Sequence, residues 1–188
     1  KKRDFIYSNF VRDEIEKGRQ VYIVCPLVEE SEAIEAKAAE DLRDELKEKY
    51  FSDLNVEVLH GKMKPSLKDK IMEDFKNNKI DILVATDVIS RGIDIDQIGL
   101  VINYDVPHDP EDYIHRIGRT ARANADGTAI TFVSEKEQGK FHRIELFLGY
   151  DIPKRELPEG LGDAPVYSPK QGRGGQRNRG GKRGRTGA

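Results

Sequence analysis

What most constrains the fold of this chain is an alternation of two hydrophobic periods. Gln20 to Pro26 (QVYIVCP) is short, β-branched and closed by proline, which predicts a buried strand. Ser31 to Tyr50 follows, with Ile34, Ala38, Leu42 and Leu46 at helical spacing behind Ser31 as N-cap. Asn55 to His60 predicts a second strand, and Leu67, Ile71, Met72 and Phe75 mark a helix from Pro65 to Asn77 or Asn78. Further strands are expected at Ile80 to Ala85, Leu100 to Tyr104 and Thr128 to Val133, with helices from Asp109 and from about Lys136 to Leu148. Nearly continuous apolar strands alternating with helices predict a doubly wound α/β fold, a parallel sheet with helices on both faces. Ligands of such sheets bind outside the carboxyl ends of the strands, so the polar residues just after each strand are the first candidates for chemistry.

Charge divides the chain. Tyr167 to Ala188 holds seven basic residues (Lys170, Arg173, Arg177, Arg179, Lys182, Arg183, Arg185), seven glycines and no acid. The residues before it carry 25 basic against 34 acidic side chains, a net of −9. An acidic body with a basic Arg/Gly tail points to a nucleic-acid partner. The expected organisation is a domain over 1–152, a linker over 153–166 punctuated by proline, and a disordered tail over 167–188. No apolar run approaches the roughly 20 residues that span a bilayer, and no secretory signal is visible. The single cysteine, Cys25, sits in an apolar run and reads as a core residue of a cytoplasmic protein. Four scattered histidines give no structural zinc pattern.

Two segments at strand ends carry polar chemistry. The strand ending at Ala85 runs into Thr86-Asp87-Val88-Ile89-Ser90-Arg91-Gly92-Ile93-Asp94. Thr86 offers a hydroxyl and an N–H, Gly92 permits close approach, and Asp94 accepts from hydroxyls such as those of a ribose. The segment also reads as a plain turn with an Arg91–Asp94 pair. Asp109 to Arg122 (DPEDYIHRIGRTAR) starts a helix with Asp109 as N-cap and Pro110 at the first position. A persistent helix places His115, Arg119 and Arg122 on one cationic stripe, whereas a stop at Gly118 moves the arginines into a loop. Converging arginines suit a phosphate gaining charge; basic residues near a helix C-terminus also simply complement its dipole. No G-x-x-x-x-G-K-[ST] is present, so the pattern offers an arginine pair and a ribose acceptor without a triphosphate cradle.

TDVISRGIDI (Thr86 to Ile95) and HRIGRTAR (His115 to Arg122), with VINYDVP (Val101 to Pro107) between them and GTAITFVSEKE (Gly127 to Glu137) after, resemble motifs V and VI of the DEAD-box RNA helicases, RhlE-type members included. The likeness is to the second RecA-like domain and covers about Asp81 to Leu157. The first half departs from that pattern: VYIVCPLVEESE (Val21 to Glu32) and HGKMKPSLKDKIMEDF (His60 to Phe75) resemble the motor domain of RecG-type DNA helicases, with Pro65 and Lys68 where the DEAD-box family has Gln and Arg. The switch falls near Ile82 to Thr86, so a natural recombinant or a deliberate chimera is one expectation.

The resemblance implies a half-site. Arg119 and Arg122 would contact the β- and γ-phosphates of ATP on a partner domain, Arg122 as the arginine finger, and Gly92 and Asp94 would meet the ribose. His115 would link to the acidic motif of that domain, which carries the P-loop, the DEAD residues and the magnesium. Thr86 would hold an RNA phosphate through its hydroxyl and N–H, Gly61 and Lys68 would touch the backbone, and Arg173, Arg177 and Arg179 of the tail would tether RNA. The implied whole is a monomeric ATP-dependent RNA helicase, of which this chain alone hydrolyses no ATP. Three rivals stay open: a RecG-like DNA-remodelling domain, a nucleic-acid-binding module without catalysis, and an engineered chimera.

Overall fold

A strand that is covered on both faces favours apolar side chains at every position, and the short runs of this sequence largely meet that demand, with Asn103 at the end of a buried strand hydrogen-bonded to Thr131. The computed structural model describes residues 2–25, 31–86, 98–120, 127–155 and 165–169. Five strands, β1 (Val21–Val24), β2 (Val56–Leu59), β3 (Ile82–Ala85), β4 (Leu100–Asn103) and β5 (Thr128–Thr131), form one all-parallel sheet in the order β2-β3-β1-β4-β5. Every residue of β1, β3 and β4 is buried. The expected doubly wound class is therefore the observed one. The change of family resemblance falls within β3, which pairs with β1 and β2 in unbroken register.

The two sides of the pleat sort into two cores. Val21, Ile23, Val56, Val58, Ile82, Val84, Leu100 and Ile102 pack under helix α3 (Glu32–Lys49) through Ala39, Leu42 and Leu46. Tyr22, Val24, Leu83, Ala85 and Val101 face the other way, toward Ile71 and Phe75 of α4 (Pro65–Lys76). Each buried aliphatic side chain contributes on the order of 1.5–3 kcal/mol of transfer free energy. The helical faces are rotated from the expected ones: Ile34 and Leu67 are exposed, while Glu35, Ala36 and Ala39 turn inward. Ser31 caps α3 as expected, accepting from Ile34 N at 3.3 Å.

The sequence pattern gave no element before β1, yet α1 (Lys2–Phe5), a π-helical turn (Ile6–Val11) and α2 (Arg12–Glu16) run across the first core, burying Tyr7 and Val11. Arg12 fastens this stretch by a two-pronged pair with Asp53 (2.8 and 2.9 Å), and Tyr50 donates to Asp4 at 2.6 Å. A third cluster, Val106, Tyr113, Phe141 and Ile144, lies between α5 (Pro110–Ile117) and α6 (Gln138–Leu148).

Candidate functional site

At the carboxyl end of the sheet, Thr86 follows β3 and is 3 % exposed. Its backbone N–H donates to Leu59 O at 3.2 Å, extending the β2–β3 ladder. That corrects one expectation: only the Thr86 hydroxyl, not its N–H, is left for a phosphate. The same hydrogen bond brings the end of β2 alongside, with Gly61 two residues further on. Gly61 is exposed and has open space where a side chain would sit, so another backbone can approach it closely. Lys68 is half-buried in the first turns of α4, whose start is set by Pro65 at its first position. Thr86, Gly61 and α4's amino end thus share one edge of the sheet.

Arg119 does not join them. Gly118 is the C-cap of α5, and its N–H returns to Ile114 O at 2.8 Å, so the helix stops at Ile117. The continuous cationic stripe is not formed: His115 lies exposed on the helix, while Arg119 lies beyond it and is 8 % exposed. The next residue fixes its position, because the Thr120 hydroxyl donates to Ile98 O at 2.7 Å and approaches Gly99 O at 3.3 Å, just ahead of β4. Arg119 is therefore held at the amino end of the sheet, opposite Thr86. Of the candidate residues, Thr86 and Gly61 thus lie at carboxyl strand ends and Arg119 does not.

Glycine makes this brace possible. A Cβ on Gly127 would come within 2.0 Å of both Thr120 O and Thr120 Oγ1, and one on Gly99 within 2.6 Å of Arg19. Gly127 and Thr120 bracket 121–126 and so fix both ends of the segment that contains Arg122. Gly92, Asp94, Arg122, Arg173, Arg177 and Arg179 lie outside the described residues. Among the described residues no group of three or more His, Cys, Asp or Glu side chains is placed to hold a metal ion.

Supporting residues surround these candidates. Arg116, for which the sequence suggested a structural place, is 1 % exposed and donates to Asp105 at 3.1 Å, tying α5 to the loop after β4. Burial, with Asp105 and Glu35 nearby, pushes the Cys25 thiol up to about 12. Glu145, 3 % exposed, binds Lys154, the Tyr167 hydroxyl (2.5 Å) and Ile152 N (3.0 Å). Burial alone would raise its carboxyl; these partners outweigh burial and hold it below the ordinary value. No residue pattern flags Glu145, since its partners lie in a proline-punctuated stretch.

The five-stranded parallel sheet with its helices matches the RecA-like fold of C-terminal helicase domains. The chain belongs to the helicase conserved C-terminal domain family, whose pattern matches residues 1–124. It is 45 % identical over 105 residues to the ATP-dependent RNA helicase DeaD of Buchnera aphidicola subsp. Baizongia pistaciae, covering 56 % of this chain and 17 % of that protein. It is 39 % identical over 127 residues to eukaryotic initiation factor 4A of Caenorhabditis elegans, covering 68 % of this chain and 30 % of that protein. The chain thus spans less than a third of the length of either relative. Among solved structures, domain 2 of the Mss116p DEAD-box helicase bound to an RNA duplex superposes with a TM-score of 0.68 at 27 % identity, covering 83 % of this chain and 60 % of that one. The C-terminal domain of the DEAD-box protein Dbp5 gives 0.59 at 29 % identity, covering 77 % and 79 %. The chain is a C-terminal helicase domain homologous to those of DEAD-box ATP-dependent RNA helicases.

Proposed function

We propose that this chain is the C-terminal motor half of an ATP-dependent RNA helicase and grips two ligands at opposite ends of its sheet. The carrying observation is that Thr86 stands at the carboxyl end of β3 and Arg119 beside the amino end of β4, two parallel strands with β1 between them. The carboxyl edge, with the Thr86 hydroxyl, Gly61 and Lys68, holds an RNA backbone. Such contacts read phosphates and riboses, not bases, and are salt-sensitive. The amino edge presents Arg119 and Arg122 to the β- and γ-phosphates of an ATP seated on a separate RecA-like domain with P-loop and DEAD residues, and Gly92 and Asp94 to its ribose. Magnesium belongs to that domain. His115, exposed on α5, meets its acidic motif. The whole works as a cytoplasmic monomer in which closure on ATP bends one strand of a duplex.

The test is to measure RNA-stimulated ATP hydrolysis by the 188-residue chain alone and after fusion of an ATP-binding RecA-like domain ahead of Lys1. Turnover only in the fusion supports the half-site, and turnover by the chain alone overturns it. A RecG-like DNA-remodelling role rests on the sequence of Val21 to Glu32 and His60 to Phe75, and predicts stronger stimulation by forked DNA than by RNA. The same two segments motivate the chimera reading, which fails if one natural family matches both halves equally well.

A further inference from the structure

The stretch 165–169 sits in a built receptor on α6. The Gln138 side chain, 7 % exposed, grips its backbone from both sides: Nε2 donates to Val166 O at 3.1 Å, and Ser168 N donates to Oε1 at 2.9 Å. Between those contacts the Tyr167 ring packs edge-on against Phe141, with centroids 6.2 Å apart, and its hydroxyl donates to buried Glu145 at 2.5 Å. The Lys154 ammonium lies 4.4 Å from the Tyr167 centroid and also binds Glu145. Gly149, at φ +78°, ends α6 and turns the chain so that Ile152 and Lys154 reach back to that carboxylate. A bidentate amide, a buried carboxylate and an aromatic slot together recognise this one segment.

The receptor also has a definite place. Gln138 follows Glu137, whose carboxylate accepts from Val106 N at 3.3 Å, three residues beyond the last residue of β4. Ser168 is therefore fixed at the carboxyl side of the sheet, the side of Thr86 and Gly61, and Lys170 with the six tail arginines and lysine that follow begins two residues later.

We infer that the Gln138–Glu145 clasp is a tail anchor: it fixes the origin of the basic tail at the RNA-facing edge, so that tail and domain engage one RNA. This rests on the RNA-binding reading above. With the clasp closed, Arg179 is 11 residues from the last held residue, Ser168; with it open, 24 residues from Arg155. Effective concentration falls roughly as the −3/2 power of tether length, so opening the clasp lowers RNA affinity about three- to fourfold.

The test measures single-stranded RNA affinity for the full chain, for Q138A and Y167A, and for the same substitutions in a chain ending at Pro169, with hydrogen exchange at the Ser168 amide in parallel. The expected result is a severalfold loss for each substitution when the tail is present, none when it is absent, and fast Ser168 exchange in both Q138A and Y167A. Equal losses with and without the tail, or no loss with it, overturn the anchor. Absence of RNA binding by the intact chain overturns the RNA reading, and Ser168 protection tells that failure apart from a clasp that never closes. Y167F, which keeps the ring, guards against misfolding of Y167A and is expected to fall between wild type and Y167A.

Discussion

The Thr120 hydroxyl donates to the Ile98 carbonyl across 2.7 Å, joining the residue after Arg119 to the first described residue after the segment that contains Gly92 and Asp94. One side chain thus couples the two stretches proposed to meet the nucleotide. Thr120→Val keeps the shape and leaves a buried carbonyl without that donor, at a cost of about 1–3 kcal/mol. Gly127→Ala costs more, because its methyl overlaps backbone instead of a movable side-chain end. Urea unfolding of the two variants is expected to rank them in that order.

Arg116 answers to stability. It is buried and donates to the partly exposed Asp105, so Arg116→Ala removes a charge-assisted hydrogen bond and lowers stability by about 1.5–3 kcal/mol. The drop is expected in thermal or denaturant melts of the chain alone, without RNA or nucleotide.

Arg119→Ala and Arg122→Ala act on turnover. In the fusion with an ATP-binding domain each is expected to lower kcat by about 10³-fold or more, the scale of an arginine finger, with RNA affinity in the absence of ATP unchanged. A phosphate-release assay beside RNA titrations reads both.

The tail carries a salt signature. Removing 170–188 deletes seven cations, and if all of them meet phosphates the slope of log affinity against log salt for single-stranded RNA flattens by about 5. Titrations at four or five salt concentrations measure it.

Acid loosens the amino-terminal helices. The Arg12 guanidinium holds the Asp53 carboxyl at about 2, below its ordinary 3.8. A carboxyl depressed in the folded state stabilises it above the ordinary value, and that contribution is lost as pH falls from about 4 toward 2. The melting-temperature gap between wild type and Asp53→Asn is expected to be full at pH 6 and to close through that window.

Much of the architecture was legible because burial on both faces forces a run such as ILVA (Ile82 to Ala85) to be apolar throughout. The rotation of α3 and α4 was not, since one apolar residue in each, Ile34 and Leu67, fits the helical period yet points outward. The amino-terminal helices were hidden by their charge: Asp53 neutralises Arg12 and Tyr50 donates a hydrogen bond to Asp4, each from more than 35 residues away. Motif spacing pointed to Thr86 and Arg119 but not to their separation: where Gly118 breaks α5 decides that, and residue type alone leaves both outcomes open. The clasp was illegible for a similar reason, since prolines 165 and 169 mark an absence of regular structure, not an absence of docking.

Cys25 has a practical consequence. Its thiol is buried in the core at the end of β1 and stays protonated up to about 12, so maleimides at neutral pH find nothing to attack. A cysteine introduced at Ser66 on the exposed start of α4, or in the tail, would be the only reactive thiol in an otherwise unchanged sequence. The domain is a ready background for placing a single dye at a chosen site.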